Sequence, residues 1–393
     1  MGKEAAMKIA EITTNRIAVP LKKPFKTALR TVRTAEAVIV KVTAENGMTG
    51  WGEAPPTAVI TGETLDSIEG AVNTILAPAL TGCNLRMAEA IFHDIDKLIV
   101  GNTSAKAAVE TAVYDCLAQL CGLPLYQLLG GYRREIETDF TVSVNDPEEM
   151  GKDAARYVQE GFRTLKIKVG KNDMATDLER IREIRKQAGP AVRIRVDANQ
   201  GWTAKQAVKA IRKMEDEGLS IELVEQPVHR LDLEGLKQVT DAVDTPIMAD
   251  ESVFTPRDAF HVLKTRSADL INIKLMKAGG IRQALKINAM AEACGVECMA
   301  GSMIETRLGI TAAVHFAASQ KNVTKFDFDA PLMLKEDIVE GGIRYHAGTI
   351  TIPDAPGLGI TKVCHEGERT NEPLYDSRLS RQCLDQSGSA AHN

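Results

Sequence analysis

Lys166 and Lys168 stand two residues apart in TLKIKVG, a run otherwise rich in aliphatic and β-branched residues. A strand repeats every two residues, so both ammonium groups point to one face. Further aliphatic runs end in polar side chains of the same kind. Asp197 and Asn199 close VRIRVDAN, Glu225 closes IELVE, Asp250 closes PIMAD, Lys274 closes LINIK, and Asp327 with Asp329 close KFDFD. The steps from Lys168 to Asp197, Glu225, Asp250 and Lys274 are 29, 28, 25 and 24 residues, each about one βα unit. Asp197, Glu225 and Asp250 offer three carboxylates with no His or Cys among them, a donor set for a hard cation such as Mg²⁺ rather than Zn²⁺. Lysines on both sides of such an ion suit removal of a proton α to a carboxylate and its return on the other face, the ion stabilising the enediolate between. A free lysine is protonated near neutral pH. A second ammonium and a divalent ion nearby would disfavour the charged form of Lys168 and poise it as a base. The competing reading is a set of structural salt bridges, which does not explain why the carboxylates are central and the lysines flank them.

The elements that must position these groups can be read from the pattern. Eight strand-like runs, TDFTVSV, TLKIKVG, VRIRVDAN, IELVEQP, PIMADES, LINIKLM, VECMAG and KFDFDA, alternate with amphipathic stretches such as ATDLERIREIRKQAG and AKQAVKAIRKMEDEG, each ending in a helix-stopping glycine. Such alternation predicts a parallel βα barrel, whose strand ends gather at one mouth. Lys168 and Lys274, on strands two and six, then face each other across it. Upstream, about Met7 to Thr57 reads as an antiparallel meander with a hairpin at ENG, and about Leu65 to Leu129 reads as helical. The fold class is α/β, with a capping domain over 1–130, a barrel over 131–334, and a segment 335–393 returning to the first domain, where GIRYHAGTITIP reads as a hairpin. MGKEAA and DQSGSAAHN read as unstructured ends.

Bulk properties exclude some classes. A formal net charge of -5 gives no electrostatic case for nucleic acid or an anionic membrane. No apolar run is long enough to span a bilayer and no signal peptide opens the chain. Seven scattered cysteines without a C-x-x-C pair fit reduced thiols, so the cytoplasm is expected. Homo-oligomerisation is possible on this reading, with no patch to place it.

Taken in order, KIKVG, VDANQGW, VEQP, ADES, NIKLMKAGGI and GSMIETRLG resemble the enolase superfamily, muconate lactonizing enzyme subgroup, from Met7 to about Gly359. The superfamily pairs a Lys or His base with Mg²⁺. The resemblance implies an N-terminal α+β capping domain on a modified TIM barrel, (β/α)7β. It makes Asp197, Glu225 and Asp250 the Mg²⁺ ligands, Lys168 and Lys274 the acid/base pair, and Lys166 a positioning residue. Asn199 and Glu251 would lie near the metal, although strand alternation predicts that Glu251 faces away from Asp250. Asp327 and Asp329 resemble the signature of dipeptide epimerases. Two carboxylates at the mouth call for a cation, which the free ammonium of a dipeptide supplies and an N-acyl or succinylbenzoate substrate lacks. The alternative is bridging to Lys325 or Arg307. KPFKTALR resembles the L-Ala-D/L-Glu epimerases, where the residue matching Arg30 meets the glutamate side chain, a pairing that can be bidentate. Lys22, Lys23, Lys26 and Arg33 read as solvated. Ile60 is expected beside the substrate's N-terminal side chain, Thr141 as a hydroxyl donor, and Met303 with Glu305 in the pocket wall. The implied activity is Mg²⁺-dependent epimerisation of L-Ala-D/L-Glu in murein peptide metabolism. The alternatives are another dipeptide specificity, N-acylamino acid racemisation, o-succinylbenzoate synthesis, or Mg²⁺-dependent binding of a small molecule without catalysis.

Overall fold

The computed structural model describes residues 7–364, so both chain ends named above lie outside the described residues. Strands β1 (Ile9–Lys26), β2 (Thr31–Ala44) and β3 (Thr49–Ala54) form the antiparallel meander. Helices α1 (Leu65–Ala71), α2 (Ala77–Leu80), α3 (Ala88–Leu98), α4 (Thr103–Cys121) and α5 (Leu125–Leu128) follow, with a π-helical turn at Val72–Leu76 joining the first two. A short strand β4 (Glu135–Glu137) then leads into the large sheet.

All eight expected strands are present: β5 (Phe140–Val142), β6 (Thr164–Lys168), β7 (Arg193–Asp197), β8 (Ile221–Glu225), β9 (Ile247–Ala249), β10 (Leu270–Lys274), β11 (Glu297–Gly301) and β12 (Val323–Phe326). They pair in parallel in chain order, and Asp139 N–H donates to Phe326 O at 3.3 Å across the two end strands. The connecting helices are α6 (Pro147–Gln159), α7 (Met174–Ala188), α8 (Ala204–Asp216), α9 (Leu233–Thr240), α10 (Pro256–Thr265), the pair α11 (Leu275–Ala278) and α12 (Ile281–Ala293), and α13 (Arg307–Ser319). After β12 only a 3-10 turn, Ala330–Met333, stands where an eighth helix would be, which is the (β/α)7β pattern.

Local sequence explains where the helices start. Thr203 with Gln206 and Thr255 with Asp258 form reciprocal capping boxes, and Asp173 and Asp232 accept from backbone N–H groups of their own first turns. Alternation puts every second strand residue inside the barrel. There Leu223, Met248, Leu270 and Met299 form a small apolar cluster. Arg195 is buried as well, paired with Asp139 at 2.8 Å and Glu222 at 2.6 Å. This floor leaves the next inward layer, two residues further along each strand, to the polar groups.

The expected hairpin, β14 (Arg344–His346) and β15 (Thr349–Thr351), comes after β13 (Val339–Gly341), which pairs with β16 (Ile360–Val363). The hairpin pairs with β4 rather than with the meander. Its flanks reach the N-terminal part: Lys335 N–H donates to Pro20 O, and Leu125 N–H to Gly357 O. Among the described residues no helix is long and apolar enough to cross a membrane.

Candidate functional site

The polar strand ends do converge. Lys166 is fully buried, its Nζ 2.7 Å from Glu225 Oε2, 2.7 Å from Asp327 Oδ2 and 3.3 Å from Asp197 Oδ2. Lys168 Nζ donates to Asp197 Oδ2 at 2.5 Å, and Lys274 Nζ to Asp250 Oδ2 at 2.8 Å. These contacts set the charge states. Burial works against the carboxylate of Asp197, but Lys168 and Lys166 outweigh it and hold the group below its usual range. Asp250 is likewise lowered, with Lys274 and Lys277 overriding burial. Glu225 is pushed up to about 7 by burial and by the charge of Asp197. For Lys274 burial favours the neutral amine, yet Asp250 prevails and raises it.

Asp327 and Asp329 are driven apart. Lys166, Lys168 and Lys274 overcome burial and draw Asp327 down to about 2, whereas burial and the charge of Asp327 push Asp329 up to about 7. Neither bridges to Lys325, which pairs with Glu297, nor to Arg307, which pairs with Asp337. Asp329 Oδ2 instead accepts from Thr141 N–H at 2.5 Å.

One cavity joins Lys168, Lys274, Asp327 and Asp329 to the N-terminal part of the chain, while Lys166, Asp197, Glu225 and Asp250 lie beneath its lining residues. Thr141, Lys168, Asn199, Glu251, Lys274, Met303, Asp327 and Asp329 line one side, and Phe25, Thr27, Arg30, Val59 and Ile60 the other. The β1–β2 turn is ordered by Thr27, whose hydroxyl accepts from Leu29 N–H at 3.1 Å and Arg30 N–H at 3.2 Å. Lys22, Lys23 and Arg33 are exposed as expected and Lys26 is half-buried, and three of them also reach the barrel. Lys22 Nζ donates to Leu332 O, Lys23 pairs with Asp153, and Lys26 Nζ donates to Asn145 Oδ1, so they strap the segment to the barrel.

Two expectations are corrected. Glu251 does not turn away: β9 stops at Ala249, alternation lapses in the turn that follows, and Glu251 lines the cavity, its Oε1 accepting from Asn199 Nδ2 at 3.3 Å. Glu305 is absent from the cavity lining and accepts from Met303 N–H at 2.8 Å, supporting its neighbour's backbone.

With this geometry, comparison with known proteins is specific. The N-terminal domain model of mandelate racemase / muconate lactonizing enzyme matches residues 9–130, and the enolase C-terminal domain-like model matches 149–363. The chain belongs to the enolase superfamily. Within it, the chain is 71% identical to an L-Ala-D/L-Glu epimerase of Bacillus subtilis, over 90% of this chain and 97% of that one. The solved substrate-liganded complex of the Bacillus subtilis epimerase superposes with a TM-score of 0.91 at 70% identity, covering 91% of this chain and all of that one. A dipeptide epimerase of Enterococcus faecalis, solved with Mg and L-Leu-L-Tyr, gives 0.88 at 46% identity, covering 90% of this chain and all of that one.

The donor chemistry of this superfamily member fits a hard cation. Every charged candidate is an oxygen donor from a carboxylate, and several buried oxygens are under-used. Among the described residues, Glu225 Oε2 and Asp250 Oδ1 each lie 2.7 Å from a lysine nitrogen but accept no well-formed hydrogen bond, and Glu251 Oε2 and Asn199 Oδ1 accept none. Among the described residues the carboxylates do not close on one point, and Lys166 Nζ reaches both Asp197 and Glu225. Sequence reasoning missed Asn272 and Lys277. Asn272 Nδ2 donates to Glu225 Oε1 at 2.7 Å, and the buried Lys277 touches Asp250 Oδ1 at 2.7 Å. For Asn272 the signal was available, because it precedes Lys274 by two residues and shares its inward face.

Proposed function

We propose that this protein is a dipeptide epimerase that inverts the α-carbon of the C-terminal residue, with L-Ala-D-Glu and L-Ala-L-Glu as substrates. The observation that carries the reading is the cavity itself. Lys168 and Lys274 enter it from strands two and six, and Arg30 enters it from the N-terminal part. One lysine, as the neutral amine, takes the α-proton from its face. The other, as the ammonium, delivers a proton to the opposite face, and the reverse reaction exchanges the roles. Asp197, Glu225 and Asp250 would hold Mg²⁺, which when bound supplies positive charge to a carboxylate gaining negative charge. Lys166 positions these carboxylates. Asp327 and Asp329 meet the substrate ammonium, and Thr141 holds Asp329 in place. Arg30 meets the glutamate side chain, and Ile60 and Met303 pack beside the substrate. The similarity to L-Ala-D/L-Glu epimerases supports this assignment, and peptides released from murein are the natural source of such a dipeptide.

A second reading keeps the chemistry and changes the side chain accepted, as the Leu-Tyr complex of the Enterococcus faecalis relative illustrates. Arg30 favours the acidic substrate. Incubation with L-Ala-D-Glu and Mg²⁺ in heavy water, followed by NMR, tests the chemistry. The glutamate α-proton signal should wash out as the second diastereomer grows. Lys168→Ala and Lys274→Ala should each abolish epimerisation, and full epimerisation by either variant would falsify the two-base scheme.

A further inference from the structure

Glu53 and Glu305 form a buried acid pair that the proposed chemistry does not use. Glu53 lies on β3, in the N-terminal sheet, and Glu305 in the loop between β11 and α13. Glu53 Oε1 accepts from Thr306 N–H at 2.8 Å. Its Oε2 accepts from the Thr306 hydroxyl at 2.5 Å and from Gly309 N–H at 2.9 Å. Backbone N–H groups at a helix start have no partner within the helix. Glu53 therefore caps a barrel helix from across the molecule, where a carboxylate also suits the helix dipole.

Glu305 is anchored in the same place. A Cβ built on Gly309 would meet Glu305 Oε2 at 2.4 Å and Glu53 Oε2 at 3.2 Å, so both carboxyls crowd the first turn of α13. Glu305 Oε1 takes the Met303 N–H, and Ser302, Met303 and Ile304 all line the substrate cavity. Burial and the neighbouring Glu53 push Glu305 up to about 8, which suits a neutral acid whose carbonyl oxygen accepts that bond. The chain that forms this pocket wall is thus pinned by an acid of its own and by one from the N-terminal sheet.

We propose that Glu305, seated against Glu53, is a positioning residue for substrate selection: it fixes the backbone of Met303 and so the wall that residues 302–304 present to the dipeptide. The inference rests on the dipeptide reading of the cavity. Its test is steady-state kinetics of Glu305→Ala, Glu305→Gln and Glu53→Gln with Mg²⁺, on L-Ala-L-Glu and the bulkier L-Leu-L-Glu. Losing one positioning hydrogen bond should raise KM for L-Ala-L-Glu about five- to tenfold in Glu305→Ala, with kcat changed less than about threefold. Its preference for Ala over Leu should narrow at the same time. Gln keeps the oxygen that accepts from Met303 N–H, so Glu305→Gln should recover most of the loss. If Glu305→Ala does not fold, Glu53→Gln carries the test: an amide cannot accept through both ends, and KM should again rise more than kcat falls. Unchanged KM and unchanged preference in the folded variants, whatever their melting temperatures, would overturn the inference alone. A wild-type protein silent on every dipeptide would overturn the functional reading and the inference with it.

Discussion

A guanidinium held in a cavity with no anion against it is costly to keep. Arg30 is such a group: burial alone acts on it, lowering its hold on the proton, and among the described residues no carboxylate pairs with it. A substrate carboxylate would repay that cost, and bidentate pairing would discriminate against an amide. Arg30→Leu should therefore cut kcat/KM for L-Ala-L-Glu by about a hundredfold, while L-Ala-L-Gln changes by less than about fivefold. The measurement is the ratio of the two kcat/KM values, and a ratio unmoved from wild type would place the glutamate side chain elsewhere. The sequence made Arg30 visible through its resemblance. It misplaced Glu251 because the alternation rule was extended past Ala249, where the strand has ended.

The barrel was legible because six of its eight strands are short apolar-rich runs closed by a polar group, and helices α7 to α10 open on capping side chains of their own. What the pattern could not show is how successive strand ends fit together. After Asp197 the chain enters the left-handed region at Asn199 (φ 41°) and Gln200 (φ 67°), and after Glu225 it does so at Gln226 (φ 37°). Such backbone persists when surrounding contacts over-determine it. Gln226 shows how: its Oε1 accepts from Asp250 N–H at 2.9 Å and Ser252 N–H at 3.1 Å, tying one carboxylate-bearing turn to the next. Gly201 and Gly170 make a tight crossing between neighbouring turns. A Cβ on Gly201 would lie 2.4 Å from Gly170 O, which is backbone and cannot swing aside. Gly201→Ala should thus cost about 1–3 kcal/mol in urea unfolding. It should also lower kcat, because the displaced turn carries Asn199, which donates through its N–H to Asp197 Oδ1 at 2.9 Å. Wild-type stability together with wild-type kcat would show that the crossing has slack.

Across the whole molecule, the N-terminal part and the barrel are joined by buried acids capping the other part's helices, contacts between residues far apart in sequence that no local pattern can reveal. Glu53 does this for α13, and Glu110 on α4 does it for α12, its Oε1 accepting from Arg282 N–H at 2.8 Å while Oε2 has no hydrogen-bond partner among the described residues. Burial pushes Glu110 up to about 8, and the nearby Asp96 adds to it. The sign of the linkage follows. The folded state holds this proton more tightly than the unfolded chain, whose glutamates titrate near 4.3. The stabilisation is complete below that value, shrinks as pH rises, and is gone above about 8, where folding must bury a charge. Other raised acids, Asp329 near 7 and Glu305 near 8, tilt stability the same way, so wild-type melting temperature should decline from pH 5 to pH 9. Glu110→Gln isolates one contribution away from the cavity, keeping the acceptor for Arg282 and removing the titration. Its melting temperature should match wild type near pH 5 and exceed it by several degrees at pH 9. Parallel melting curves across that range would mean that Glu110 is already ionised in the folded protein, and that the junction tolerates a buried charge which its unpartnered oxygen argues against.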